Sequence, residues 1–122
     1  MIRRTLLLLF AAAFAGCVSA QGFPSRPLRI IVVYPPGGTS DAVARLLAEK
    51  LAGPLGQQVV VENRGGAGGQ IGAQYVASTP PDGYTIMTTV GPAHLLSKFT
   101  SKNLPYDPVR DFTPITAGIV TV

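Results

Sequence analysis

Tryptophan is absent from this sequence, cysteine and histidine occur once each, and only 13% of the residues are charged. A single cysteine, Cys17, can form no internal disulfide, and a single histidine, His94, has no second His or Cys with which to build a metal site. Arg3 and Arg4 supply part of the net charge of +4; from Gln21 onward eight basic and six acidic side chains remain, and they are scattered. Without a basic run interleaved with aromatics, nucleic-acid binding finds no support. The glycines and prolines, fourteen and eleven in number, follow no fixed period, which excludes a collagen-like chain. What is present is apolar: 47% of the residues are hydrophobic, enough for a packed core and too many for a disordered chain.

The first twenty residues divide into a short positive segment (Met1 to Arg4), an apolar run (Thr5 to Gly16) and the small or modest residues Val18-Ser19-Ala20. That order predicts an export signal cleaved after Ala20. The apolar run is shorter than the roughly 20 residues a membrane-spanning helix needs. Phe14-Ala15-Gly16-Cys17 offers a second outcome, lipidation of Cys17, which would tether the protein to a membrane. Cleavage after Ala20 is the preferred expectation, and it leaves a mature chain free of cysteine, as suits an oxidising compartment. The protein is therefore expected to be exported.

The mature chain alternates between two periodicities. Leu28 to Tyr34 is an almost unbroken β-branched run, expected of a strand buried on both faces. Pro35-Pro36-Gly37-Gly38 stops it, Thr39 or Ser40 is a natural N-cap, and a helix is predicted to about Ala52, ended by Gly53-Pro54. Its apolar face is expected to combine Ala42, Val43, Leu46, Leu47, Ala48 and Leu51. A second strand is predicted over Gln58–Glu62 and a glycine-rich flexible loop over Arg64–Gly69. A second helix follows over Gln70–Ser78, with Ile71, Tyr75 and Val76 on one side. Pro80-Pro81-Asp82-Gly83 is a turn, because proline fixes φ and glycine accepts positive φ. A third strand covers Tyr84–Val90, Gly91-Pro92 breaks it, and a loop or short helix carries His94. A fourth strand is expected to begin at Ile115 and run to Val122, so that the chain reads as a fragment of a longer protein. The order β-α-β-α-β predicts an α/β fold with a parallel sheet.

In open parallel sheets, ligands bind beyond the C-terminal ends of the strands. Tyr34, Pro36, Gly37, Gly38, Thr39, Ser40 and Asp41 fall there, together with Gly91 and His94. Glycines 37 and 38 would let backbone N–H groups approach a ligand at the positive end of a helix, and Thr39 and Ser40 add hydroxyls, which suits a carboxylate or other small anion. The same residues would equally make a plain strand-to-helix turn with a capping hydroxyl. Asp41 has two readings as well, compensation of the helix dipole or a hold on ligand hydroxyls or amines. His94 is either a half-buried side chain or a donor to ligand. No cofactor is expected. The loop Gly66-Ala67-Gly68-Gly69 fails the dinucleotide pattern at its last position, and no phosphate-binding P-loop is present. A hydrolase reading has one foothold, Gly38-Thr39-Ser40-Asp41-Ala42, a near match to the nucleophile elbow, with Asp82 and His94 following in the right order.

Taken in order, these motifs resemble a known family. Tyr34-Pro35-Pro36-Gly37-Gly38 with Asp41, Ala44 and Arg45 comes first, then Val61-Glu62-Asn63-Arg64 with Gly66-Ala67-Gly68-Gly69, then Pro81-Asp82-Gly83-Tyr84-Thr85. The last is Leu104-Pro105-Tyr106-Asp107-Pro108 running on to Pro114. The set is similar to the substrate-binding proteins of tripartite tricarboxylate transporters, the Bug family of periplasmic binding proteins. The resemblance implies a two-lobed Venus-flytrap binder that is not an enzyme. It implies that residues 21–114 form the N-terminal part of lobe 1 and that 115–122 begin the crossover to a second lobe. The implied ligand is a small carboxylate (a di- or tricarboxylate, an acidic amino acid or an aromatic acid), held in part by the turn from Tyr34 to Asp41. The implied partners are the membrane subunits of the transporter, and the binder itself is expected to be a monomer. Two alternatives remain beside it, a secreted serine hydrolase using Ser40, Asp82 and His94, and a non-functional truncated remnant.

Overall fold

A computed structural model describes residues 22–117. The predicted leader, with Cys17, lies outside the described residues, as does most of the predicted fourth strand; Ile115, Thr116 and Ala117 carry no regular structure. Three strands, β1 (Leu28–Val32), β2 (Val59–Asn63) and β3 (Thr85–Thr88), form a parallel sheet in the order β2-β1-β3. Ile30 stands opposite Val61 on one side and Ile86 on the other. Helices α1 (Thr39–Leu55), α2 (Gln70–Ala77) and α3 (Gly91–Thr100) follow the successive strands, and a short 3-10 turn, Ala67–Gly69, leads into α2. The α/β reading with a parallel β-α-β-α-β order is thereby observed.

The central strand explains why the apolar run in β1 is unbroken. Successive side chains of a strand point to opposite faces. Ile30 and Val32 pack with Ala44 and Ala48 of α1, while Val33 lies against Gly72 of α2. Ile30, Ile31, Val32 and Val33 are all fully buried. Burial of each such side chain contributes about 1.5–3 kcal/mol.

The helices meet the sheet differently from expectation. In α1 the buried face is Asp41, Ala44 and Ala48, whereas Leu46 and Leu47 are exposed. In α2 it is Gly72 and Ala73, and Ile71 is exposed. Small side chains let a helix axis approach the pleated surface closely, so they occupy the contact face and the larger apolar side chains are displaced from it. The ends of α1 also differ. Gly38, not Thr39 or Ser40, is the N-cap, and no side-chain cap hydrogen bond is made. The helix continues through Pro54 in its last turn to Leu55, where Gly56, at a φ of 61°, supplies the left-handed cap and donates its N–H to the Gly53 carbonyl. β3 ends at Thr88, before Gly91-Pro92, and of the expected loop or short helix carrying His94 it is the helix that forms: Gly91-Pro92 starts α3, with proline in the first turn, where its missing N–H costs nothing.

The contact between α2 and β1 is tight enough to test. A Cβ at Gly72 would sit 2.6 Å from the Arg64 carbonyl oxygen and 2.9 Å from Val33 Cγ1. The carbonyl belongs to the backbone and cannot swing away. Gly72→Ala is expected to lower stability by about 1–3 kcal/mol, read from denaturant unfolding; an unchanged midpoint would show that α2 can lift off the sheet freely.

Candidate functional site

The C-terminal ends of the three strands lead into the N-termini of the three helices, so the positive ends of α1, α2 and α3 gather along one edge of the sheet. At this edge Tyr34, Gly38, Thr39, Ser40 and Val90 line a concavity of about 220 Å3. Val90 is the residue before α3, and sequence reasoning did not single it out. Gly91 and His94 lie further along, on a larger and mostly apolar groove that Thr39 and Ser40 also border. Pro36 is exposed and does not line the concavity.

Asp41 governs the turn. It is only 5% exposed, and its carboxylate is surrounded by donors. Oδ2 accepts from the Gly37 N–H at 3.0 Å and from Arg45 Nε at 3.0 Å. Oδ1 accepts from Asn63 Nδ2 at 2.9 Å and pairs with Arg45 Nη2 at 3.0 Å. Asn63 also donates to the Tyr34 carbonyl at 3.3 Å and accepts from Arg45 at 3.2 Å. The bond from Asp41 back to the Gly37 N–H resembles a capping box, in which an acidic side chain early in the helix reaches back to a backbone donor just before it. That bond replaces the expected Thr or Ser cap. It also withdraws the Gly37 N–H from any ligand. The N–H groups at the start of α1, by contrast, have no acceptor within the helix. The Arg45 guanidinium first, then the Gly37 N–H and Asn63, hold the Asp41 carboxyl at about 2, below the usual carboxylate range.

Arg45 and Asn63 thus hold the turn together, and sequence reasoning placed them in motifs without assigning them a role. Arg45 could have been found, since it stands four residues after Asp41 on the same helix face. Asn63 comes from another strand, and no local spacing points to it.

The glycine-rich segment after β2 is structured. Gly66, Ala67, Gly68 and Gly69 all have positive φ. A Cβ at Gly65 would lie 3.1 Å from the Pro35 backbone nitrogen. This loop therefore presses against the β1–α1 turn and buttresses it.

His94 has a structural engagement. Its Nε2–H donates to the Pro108 carbonyl at 3.2 Å. The ring stacks on Tyr106, with centroids 5.9 Å apart, and meets Phe112 edge-on at 4.9 Å. Burial pushes its pKa below the ordinary value, against the raising effect of the Pro108 carbonyl. Asp82 precedes β3, at the opposite edge of the sheet from Ser40 and His94, where it pairs with Arg26 and accepts from the Tyr84 N–H. The Ser40, Asp82 and His94 arrangement of a hydrolase is not assembled. Among the described residues there is no group of three His, Cys, Asp or Glu side chains that could hold a metal ion, and no helix long and apolar enough to cross a membrane.

Residues 43–121 match the family described as tripartite tricarboxylate transporter family receptor. The chain belongs to this family. Its fold agrees with that of solved relatives. The periplasmic binding protein BugD is 44% identical, with a TM-score of 0.71 over 76% of this chain and 31% of its own. MatC (Rpa3494) from Rhodopseudomonas palustris, solved with bound malate, is 39% identical, with a TM-score of 0.70 over 75% of this chain and 31% of its own. R. palustris Rpa4515, solved with adipate, is 38% identical, with a TM-score of 0.67 over 71% of this chain and 29% of its own. The family and these neighbours are binding proteins. The chain spans about a third of the length of the curated relatives it matches.

The depressed pKa of Asp41 fixes a sign. An unfolded aspartate ionises near pH 3.9, above the folded value of about 2. As pH falls, the unfolded chain binds the proton first, so this contribution is complete above about pH 4 and is lost as pH descends toward 2. Asp107, held at about 2 by Lys98 and the Val109 N–H, acts in the same direction. In Asp41→Asn the loss of stability between pH 4 and pH 2, measured by chemical denaturation, is expected to be smaller than in the parent, and smaller again when Asp107→Asn is added. An identical acid profile in all three proteins would show that neither carboxylate is specifically stabilised by folding.

Proposed function

We propose that this chain forms part of the first lobe of a periplasmic solute-binding protein that captures a small carboxylate for a tripartite tricarboxylate-type transporter. The observation that carries the reading is the concavity beside the α1 N-terminus. It is lined by Gly38, Thr39 and Ser40, and the acidic side chain of the same turn is directed inward, away from it. Backbone N–H groups without helical partners, a helix dipole and two hydroxyls converge there. An anion is the ligand type this set of donors suits.

The comparisons support the class of ligand, since a relative has been solved with malate and another with adipate. Export to the periplasm is supported by the leader-like sequence and by family membership. Docking on transporter membrane subunits is supported by family membership alone. In this reading residues 1–20 are the signal peptide, 21–114 belong to lobe 1, and 115–122 lead toward a second lobe. The protein acts as a non-enzymatic monomer without a cofactor.

Glycines 37 and 38 separate folding from binding. Gly37 has a φ of 89°, so Gly37→Ala places a side chain in left-handed backbone and is expected to destabilise by about 1–2 kcal/mol. Gly38 is extended, with a φ of −84°, and a Cβ there meets nothing closer than 3.9 Å. Gly38→Val is therefore expected to leave the chain folded, at a cost of about 1 kcal/mol for the poorer N-cap, while filling the concavity. With succinate, malate, adipate and citrate as probes, a bound acid at about 100 times its Kd adds about 2.7 kcal/mol of stability. That increment should vanish in Gly38→Val. If the folded full chain responds to no carboxylate, the reading is wrong; if Gly38→Val binds as well as the parent, the site is elsewhere.

A further inference from the structure

Beyond Cys17 the sequence contains one sulfur atom, that of Met87. Met87 lies in β3, opposite Ile31 of β1. Ile30 packs on α1 with its register partner Ile86, so by alternation Ile31 and Met87 share the other face of the sheet, the one α2 covers. Ile31 is fully buried, whereas Met87 is only partly buried. The large groove reaches it. Ile86 from one face and Met87 from the other, with Val76 and Ala77 of α2, all border this groove, which therefore wraps around the outer edge of β3. With a volume of about 1490 Å3 it admits small solutes freely. Among the described residues β3 pairs on one side only, with β1, and the bond from the Val33 N–H to the Thr88 carbonyl at its end is long, 3.4 Å. It is the strand with least to hold it.

We propose that Met87 is an oxidation site, and that its conversion to the sulfoxide by a peroxide loosens β3 from β1. In that step a lone pair of the thioether sulfur attacks one oxygen of hydrogen peroxide. The S–O bond forms as the O–O bond breaks, the sulfur gives up two electrons, and the other oxygen, now reduced, leaves as water. A thioether is apolar and flexible, and it fills space beside Ile31 without a hydrogen-bond demand. A sulfoxide is polar and chiral, and holding it against a fully buried isoleucine costs free energy. The oxidised side chain is drawn toward the groove, away from the face that Ile31 and Met87 share. Reduction by a methionine sulfoxide reductase restores the thioether, so the change is reversible. Neither the carboxylate reading nor its site enters this inference.

The full chain treated with hydrogen peroxide tests this, with the modified residue located by peptide mass and stability read from urea unfolding before and after. One oxygen should be added at Met87 while the protein is folded, and the ratio of folded to unfolded chain should fall by about fivefold or more. A methionine sulfoxide reductase should reverse both changes. Met87→Leu keeps an apolar side chain of similar size, so it should fold like the parent and lose no stability in peroxide. If Met87 of the folded chain resists a dose that oxidises it in urea, the groove does not expose the sulfur and the proposal fails. A Met87 sulfoxide with an unchanged unfolding midpoint refutes the effect on β3. If Met87→Leu loses as much stability in peroxide as the parent, the loss comes from another group and the proposal is overturned.

Discussion

The Asp41 carboxylate is the interaction on which the rest of this edge of the molecule depends. A carboxylate that is nearly removed from water is costly unless donors surround it. Here the donors come from separate places in the chain: Gly37 before α1, Arg45 one turn into it, and Asn63 at the end of β2. Satisfying the charge therefore requires the end of β1, the end of β2 and the start of α1 to be in register. Asn63 completes the link by also bonding the Tyr34 carbonyl. The same contacts fix how α1 is rotated about its axis. With Asp41 on the inward face, Ala44 and Ala48, three and seven residues on, follow it there.

That rotation accounts for the arrangement of the core. β1 supplies the bulk from both of its faces, and the helices supply closeness through Ala44, Ala48, Gly72 and Ala73. A helix held close to the sheet brings its first turn to the level of the strand ends. Gly65 and Gly69 serve the same end from the other side, since side chains at these positions would press on Pro35 and Val33. The β1–α1 turn is thus held from two directions, by hydrogen bonds through Asn63 and by backbone contact from the glycine loop. A rigid turn is what a site built from backbone N–H groups needs, because those groups cannot adjust individually to a ligand.

Much of this was legible in the residues. The unbroken Leu28–Tyr34 run announces a strand covered on both faces, and the alternation of strand and helix signals announces the parallel sheet. The helix faces were not legible, for a physical reason. Pattern reading gives most weight to Leu46, Leu47 and Ile71, whereas close approach to a sheet selects for Ala44, Ala48 and Gly72. The Thr39 or Ser40 cap was likewise a sound local expectation that a competing bond displaced, since Asp41 satisfies the turn from inside the helix. Pro54 reads locally as a stop and is tolerated one residue before the end of α1, where Gly56 provides the cap. Asn63 stands 22 positions from Asp41, and only the pairing of β2 with β1 brings them together.

The geometry also divides recognition into two parts. At an exposed helix end, the dipole favours an anion by only about 0.3–1 kcal/mol, and salt screens it. In the proposed site the donors around Gly38, Thr39 and Ser40 would therefore orient a carboxylate more than hold it. The same donors act far more strongly when water is excluded, because the effective dielectric around them falls. Under the proposed reading, affinity would depend on what covers the concavity, whereas the turn itself would set the sign and placement of the bound charge. Inward rotation of Asp41 is the feature that would let one short segment both hold its own turn and serve the proposed site. The residue that stabilises the turn is acidic, and by facing the core it keeps its charge off the side that lines the concavity.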